Sequence, residues 1–162
     1  MSEQIQRSWK INNKTREVRF APLARLLDVL HDQLGLLSLK EGCGEGECGA
    51  CSVIIDGELQ LACLVAAAQV DDGASLITAE GLEALELGRR LKRAFDRQGA
   101  VQCGYCSPAM LLGGYALLSE RSDPDEEEVR AALAGHLCRC TGYSTIVAAV
   151  REAAQSGQEE GA

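Results

Sequence analysis

The stretch CGEGECGAC, residues 43–51, sets Cys43, Cys48 and Cys51 among Gly44, Gly46 and Gly49. A segment so rich in glycine cannot hold a helix or a strand, but it can curl back on itself, because glycine lacks Cβ and reaches positive φ without steric cost. The curl points several thiols inward while backbone N–H groups face the same centre. With eight cysteines in 162 residues, sulfur chemistry dominates the chain. Two halves of about 80 residues each would have thin cores, and small domains often rely on metals or disulfides as staples.

The N-terminal MSEQIQRSWK carries no apolar h-region and no twin arginine, which makes the cytoplasm the expected location. No apolar run approaches the roughly 18–20 residues of a membrane span, so no direct membrane insertion is expected. In a reducing compartment disulfides are rare, and dense cysteine points to metal or redox chemistry. The formal charge is −8, with 7 basic against 12 acidic side chains in residues 1–80 and 9 against 12 in residues 81–162. Nucleic acid is therefore not an expected partner. RRLKR at residues 89–93 is a local exception, to be read as a solvated helix face or as a docking patch.

Periodicity divides the chain near residues 79–81. Ile5, Trp9 and Ile11 share one parity, Asn12-Asn13 is a turn signal, and Val18 and Phe20 resume the alternation, which predicts a hairpin. Pro22 opens a helix with Leu23, Leu26, Leu27 and Leu30 as its stripe. SVIID, LQLACLVAA and SLIT, separated by Asp-Gly turns, read as further short elements of a mixed sheet. Beyond residue 80 the period becomes helical. A helix is expected over about 81–97, a buried one over SPAMLLGGYALLSE capped by Ser107, a third headed by a capping box from Asp123 to Glu126, and a fourth after Gly142. The expected division is residues 1–79, residues 80–155 and a disordered tail at 156–162.

Cys43, Cys48, Cys51 and Cys63 follow C-x4-C-x2-C with a fourth cysteine after eleven intervening residues, the spacing of the plant-type [2Fe–2S] cluster. Zinc also accepts four cysteines, although its structural sites favour paired C-x2-4-C knuckles. The second set, Cys103, Cys106, Cys138 and Cys140, is a C-x2-C and a C-x-C separated by 31 residues, placed just before two predicted helices. Helix N-termini carry partial positive charge and free N–H groups, which suits an anionic cluster.

Taken in order, CGEGECGAC, Cys63, QCGYCSPAM and GHLCRCTGY resemble the small iron–sulfur subunit of the xanthine dehydrogenase, or molybdenum hydroxylase, family along nearly the whole chain. The resemblance implies an α+β fold, with an N-terminal β-grasp, plant-type ferredoxin-like domain followed by a four-helix bundle, each holding a [2Fe–2S] cluster. It implies a heterotrimer in which a large subunit carries a molybdenum–pterin cofactor and a medium subunit carries FAD, or a cytochrome replaces it. Electrons would pass from the pterin to the cluster of Cys103, Cys106, Cys138 and Cys140, then to that of Cys43, Cys48, Cys51 and Cys63. Gln102 matches the family glutamine that hydrogen-bonds the pterin, and Cys140 would also lie toward it.

Three positions depart from the family pattern. Ser107 stands for threonine, Ala109 for glycine, and His136 for asparagine, where a neutral histidine would serve as a hydrogen-bonding substitute and a protonated one would raise the potential of the adjacent cluster near neutral pH. His31 has no expected chemical role. The chain lacks a G-x-G-x-x-G, a Walker A loop and any Ser/His/Asp arrangement, so substrate chemistry is expected on a partner. A free-standing two-cluster ferredoxin and a structural zinc protein are the alternatives to an electron-transfer subunit.

Overall fold

The expected hairpin forms from β1 (Ile5–Ile11) and β2 (Lys14–Phe20), paired antiparallel from Ile5↔Phe20 to Ile11↔Lys14. Asn12 and Asn13 both take positive φ, 48° and 67°, the backbone of a two-residue turn whose twist matches the strands. The computed structural model describes residues 4–159. β3 (Ser52–Ile55), β4 (Glu58–Leu61) and β5 (Ser75–Ile77) complete a five-stranded sheet of order β2-β1-β5-β3-β4. Only β1 and β5 run parallel, so the sheet is mixed.

The first helix starts later than Pro22 suggests. Leu26 N–H donates to Val65 O at 2.8 Å and Ala67 N–H to Ala24 O at 2.9 Å, so Arg25 stays extended in an antiparallel bridge with Ala66. Helix α1 (Leu26–Asp28) then widens into a π-helical turn over Val29–Gln33. Leu26, Leu27 and Leu30 are buried, whereas Leu23 is 92% exposed and leaves the stripe. Trp9 and Phe20 stack at 5.5 Å in the core between this helix and the sheet.

The helix expected at 81–97 is divided. Residues Ala79–Ala84 form a 3₁₀ turn, Leu85 is extended, and α2 runs over Glu86–Arg97. The break lets the turn fold back on α2, since a Cβ on Gly88 would sit 2.1 Å from Leu82 O. RRLKR is a solvated face: Arg89 pairs with Glu86 and Lys92 with Glu83 at 2.8 Å, while Leu91 points inward. Glu80 joins this turn to the loop before the cysteines by accepting the Ser38 N–H at 2.8 Å. Burial pushes its carboxyl up, but hydrogen bonds from Ser38 and Thr78 outweigh that and hold it below the ordinary value. A depressed carboxylate stabilises the fold above its unfolded pKa and loses that contribution as pH falls through the folded one. Glu80→Gln is therefore expected to lower the melting temperature at pH 7, with the gap to the parent closing below about pH 4.5. A gap independent of pH would contradict this.

Helices α3 (Ser107–Glu120), α4 (Glu126–Leu133) and α5 (Ser144–Glu159) pack with α2 around Leu91, Phe95, Met110, Val129, Leu133, Ile146 and Val150. Three local expectations are corrected. Cys106, not Ser107, occupies the N-cap of α3, and Ser107 is the buried first residue of the helix. The capping box lies two residues on, with Asp125 accepting from Glu128 N–H at 2.9 Å and Glu128 returning to Asp125 N–H at 2.8 Å. That start turns Val129 and Leu133 inward and leaves three glutamates in the first turn, where the helix dipole favours them. The tail expected at 156–162 is helical through Glu159, with Ser156 donating to Glu152 O at 2.9 Å; residues 160–162 lie outside the described residues.

Sheet and helices meet along an apolar seam of Ile54, Ala79, Leu82 and Leu112. β3 is buried on both faces because successive side chains alternate: Val53 and Ile55 enter the N-terminal core and Ile54 meets α3. α3 is apolar nearly all round for the same reason, since it touches the sheet on one side and helices on the other.

Candidate functional site

Residues 40–51 form the irregular loop that the glycines imply, delivering Cys51 to the start of β3, and Cys63 arrives from the turn after β4. The Cys43 and Cys48 thiols are neighbours, as are those of Cys51 and Cys63, and Cys51 also lies within reach of the Cys48 sulfur. The structure thus brings all of the first set together. Glu45 and Glu47 N–H groups donate to Cys43 Sγ at 3.4 and 3.3 Å, and the amides of Glu45, Cys48 and Glu47 with the Cys48 thiol bring the Cys43 thiol down to about 7. Burial pushes Cys51 up to about 11. The loop is fixed from outside by Arg25, whose guanidinium holds Glu41 at 2.6 Å and keeps that carboxyl below its ordinary range. His31 has a role after all: Nδ1–H donates to Leu39 O at 2.7 Å, pinning the chain just before the loop.

The second set also converges. Cys140 and Cys103 sulfurs lie 3.5 Å apart, Cys106 and Cys138 are neighbours, and Cys103 and Cys140 both sense the Cys138 thiol. Burial pushes Cys106 up to about 12; the Tyr105 amide lowers Cys103. For Cys138, burial acts upward, but the Thr141 hydroxyl at 3.2 Å, the Thr141 and Cys140 amides and the Cys106 thiol together outweigh it. The C-R-C-T-G-Y run is shaped by Gly142 and Tyr143, both at positive φ, which return the chain so that Tyr143 OH accepts from Cys138 N–H at 2.9 Å and donates to His136 O at 3.1 Å.

Thiols that burial holds protonated gain nothing from their position unless a cation takes them as thiolates. All eight cysteines are free of disulfides. Among the described residues no three His, Cys, Asp or Glu side chains gather about a single metal ion. The sulfurs meet instead as two neighbouring pairs per set, the donor arrangement of a core in which each of two irons takes two thiolates. Loop amides already aimed at Cys43 add the hydrogen bonds that an anionic cluster requires.

The two sets face different surroundings. Cys51 and Cys63 are buried, while Gln102, Cys103 and Cys140 are exposed at one end of the helices. Val101, Tyr105 and Leu137, about half exposed, belong to the same cysteine segments. His136 is buried, its Nε2 3.0 Å from Ser52 Oγ, and burial depresses its pKa, so it is the neutral hydrogen-bonding residue expected. Sequence reasoning missed Ser52 and the Tyr105 hydroxyl, because nothing in spacing or composition reports a contact between segments so distant in the chain.

A family profile described as "2Fe-2S iron-sulfur cluster binding domain" matches residues 2–102, and one described as "[2Fe-2S] binding domain" matches residues 78–151. The nicotinate dehydrogenase small FeS subunit of Eubacterium barkeri is 47% identical over 90% of this chain and 92% of its own. The chain belongs to the small [2Fe–2S] subunits of the xanthine dehydrogenase, or molybdenum hydroxylase, family. Solved structures agree with this family membership. Quinoline 2-oxidoreductase from Pseudomonas putida 86 superposes with a TM-score of 0.88 at 38% identity, covering 98% of both chains. The aldehyde oxidoreductase from Desulfovibrio desulfuricans ATCC 27774 superposes with a TM-score of 0.89 at 39% identity over 96% of this chain and 17% of that one. The family's small iron–sulfur subunit is an electron-transfer component carrying [2Fe–2S] centres, so the zinc alternative falls.

Proposed function

We propose that this chain relays single electrons within a molybdenum-dependent hydroxylase or dehydrogenase, from a molybdenum–pterin site on a large subunit to FAD, or another acceptor, on a further subunit. Cys43, Cys48, Cys51 and Cys63 would hold one [2Fe–2S] cluster, and Cys103, Cys106, Cys138 and Cys140 the other. When bound, each cluster supplies a one-electron redox centre. The chain's own residues place the thiols, aim amides at them and keep water from Cys51 and Cys63. In this reading the sheet with its helix is a β-grasp domain, α2–α5 form a four-helix bundle, and the complex works in the cytoplasm. Gln102 and Cys140 would face the pterin, consistent with their exposure at one end of the helices.

The observation that supports this reading best is that two complete sets of paired thiols converge separately, on loops that touch each other. An exposed Cys103–Cys140 pair, on segments bearing half-exposed Val101, Tyr105 and Leu137, favours a resident subunit over a free shuttle, because a partner must cover it. The test is to purify the native complex and measure iron, acid-labile sulfide and the EPR spectrum after reduction. About four irons and four sulfides per chain, with two distinct rhombic signals, are expected. A single signal, or zinc in place of iron, would overturn the reading.

A further inference from the structure

The two cysteine loops are fastened directly to each other at two separate places. At the first, Leu137 N–H donates to Cys48 O at 3.0 Å. Beside it, Ser52 Oγ–H donates to Gly49 O at 2.7 Å, which uses the only proton of that hydroxyl, so Ser52 must accept from Nε2–H of His136 at 3.0 Å. Ser52 and His136 are 2% and 4% exposed, so this chain of bonds is shielded from water. At the second place Tyr105, lying between Cys103 and Cys106, donates its hydroxyl to Glu41 O at 2.7 Å. Every group in these ties is a ligand cysteine or lies within two residues of one.

We infer that Tyr105 and the Ser52–His136 pair are positioning residues that fix the separation of the two clusters, an inference that rests on both cysteine sets holding clusters as proposed above. The apolar seam of Ile54, Ala79, Leu82 and Leu112 sets how the sheet and helices stack, but its members lie on regular elements, whereas the thiols sit on irregular loops. A loop can shift while the seam stays packed. What prevents that here is a hydrogen bond at each side of the junction. Neither the Ser52–His136 bond nor the Tyr105–Glu41 bond touches a sulfur, so removing both side-chain ties leaves the donor sets intact.

The experiment uses the native complex with the double variant Ser52→Ala/Tyr105→Phe, fully reduced. The readout is the splitting that magnetic coupling between two reduced clusters imposes on their EPR lines, which falls with the inverse cube of their separation. The expected result is full iron content and both signals, with the splitting reduced and spread over a range. Unchanged splitting at full iron content would overturn the inference and assign the spacing to the seam and the Leu137–Cys48 backbone bond. Should the double variant load poorly, Tyr105→Phe alone, which deletes one hydroxyl from a half-exposed ring, decides the matter: reduced splitting supports the tie and parental splitting overturns it. Absence of two signals in the parent complex would instead strike the proposed function, and the inference with it.

Discussion

Replacing Cys63 by alanine is expected to remove one of two rhombic EPR signals and about half of the iron and labile sulfide, leaving the other signal unchanged. Three of the first set's thiols come from one loop, and Cys63 is the only one delivered by a different element, the turn after β4. It completes the pair with Cys51. Without it an iron has one protein ligand, and the glycine-rich loop loses its tether to the sheet. By analogy with a disulfide closing a loop of similar length, that tether is worth about 3 kcal/mol. At 2–4 °C per kcal/mol for a chain of this size, the midpoint for thermal unfolding should fall by about 9 °C. Cys106→Ala should show the mirror result, since Cys106 pairs with Cys138 against the helical core. Loss of both signals from either variant would mean that the sets do not load independently; loss of neither would mean that the substituted cysteine is not a ligand.

Much of this was legible in the sequence because it is encoded locally. The Asn12-Asn13 turn, the alternation through Trp9 and Phe20, and the glycines among the first cysteines each act over a few residues. α3 was recognisable as buried because its apolar residues cover every side of the helix, and the structure gives the reason: it serves the seam and the helical core at once. The late start of α1 was not legible, since Arg25 is extended in a bridge with Ala66, a contact that no helix propensity of Leu23 can report. The capping box was ambiguous for a related reason. Asp123 and Asp125 each precede a glutamate by three residues, and the choice fell to which register buries Val129 and Leu133. The cysteine sets could be found by spacing, but their mutual fastening could not, because Glu41 and Tyr105, or Ser52 and His136, meet only in the folded chain.

That fastening explains why Gly49→Ala is expected to be far more damaging than another glycine substitution at the same kind of backbone. Gly49 has φ of 72°, and Gly57, in the turn between β3 and β4, has φ of 94°. Alanine at either site carries the cost of a left-handed conformation, about 1–2 kcal/mol. At Gly57 a Cβ meets nothing within 4 Å, so that cost is the whole effect. At Gly49 the same Cβ would lie 2.3 Å from Gly135 O and 3.0 Å from His136 Cα, backbone atoms that cannot rotate away. One of the two loops must retreat, and the Leu137–Cys48 and His136–Ser52 bonds go with it. Two lost or stretched hydrogen bonds, one of them buried, add roughly 2 kcal/mol to the strain. Gly57→Ala should therefore shift the midpoint for loss of visible absorbance by about 3–6 °C, and Gly49→Ala by at least twice as much, at one fixed scan rate. Equal shifts in the two variants would show that the cysteine loops yield to each other freely, and that their backbone contact does not set their spacing.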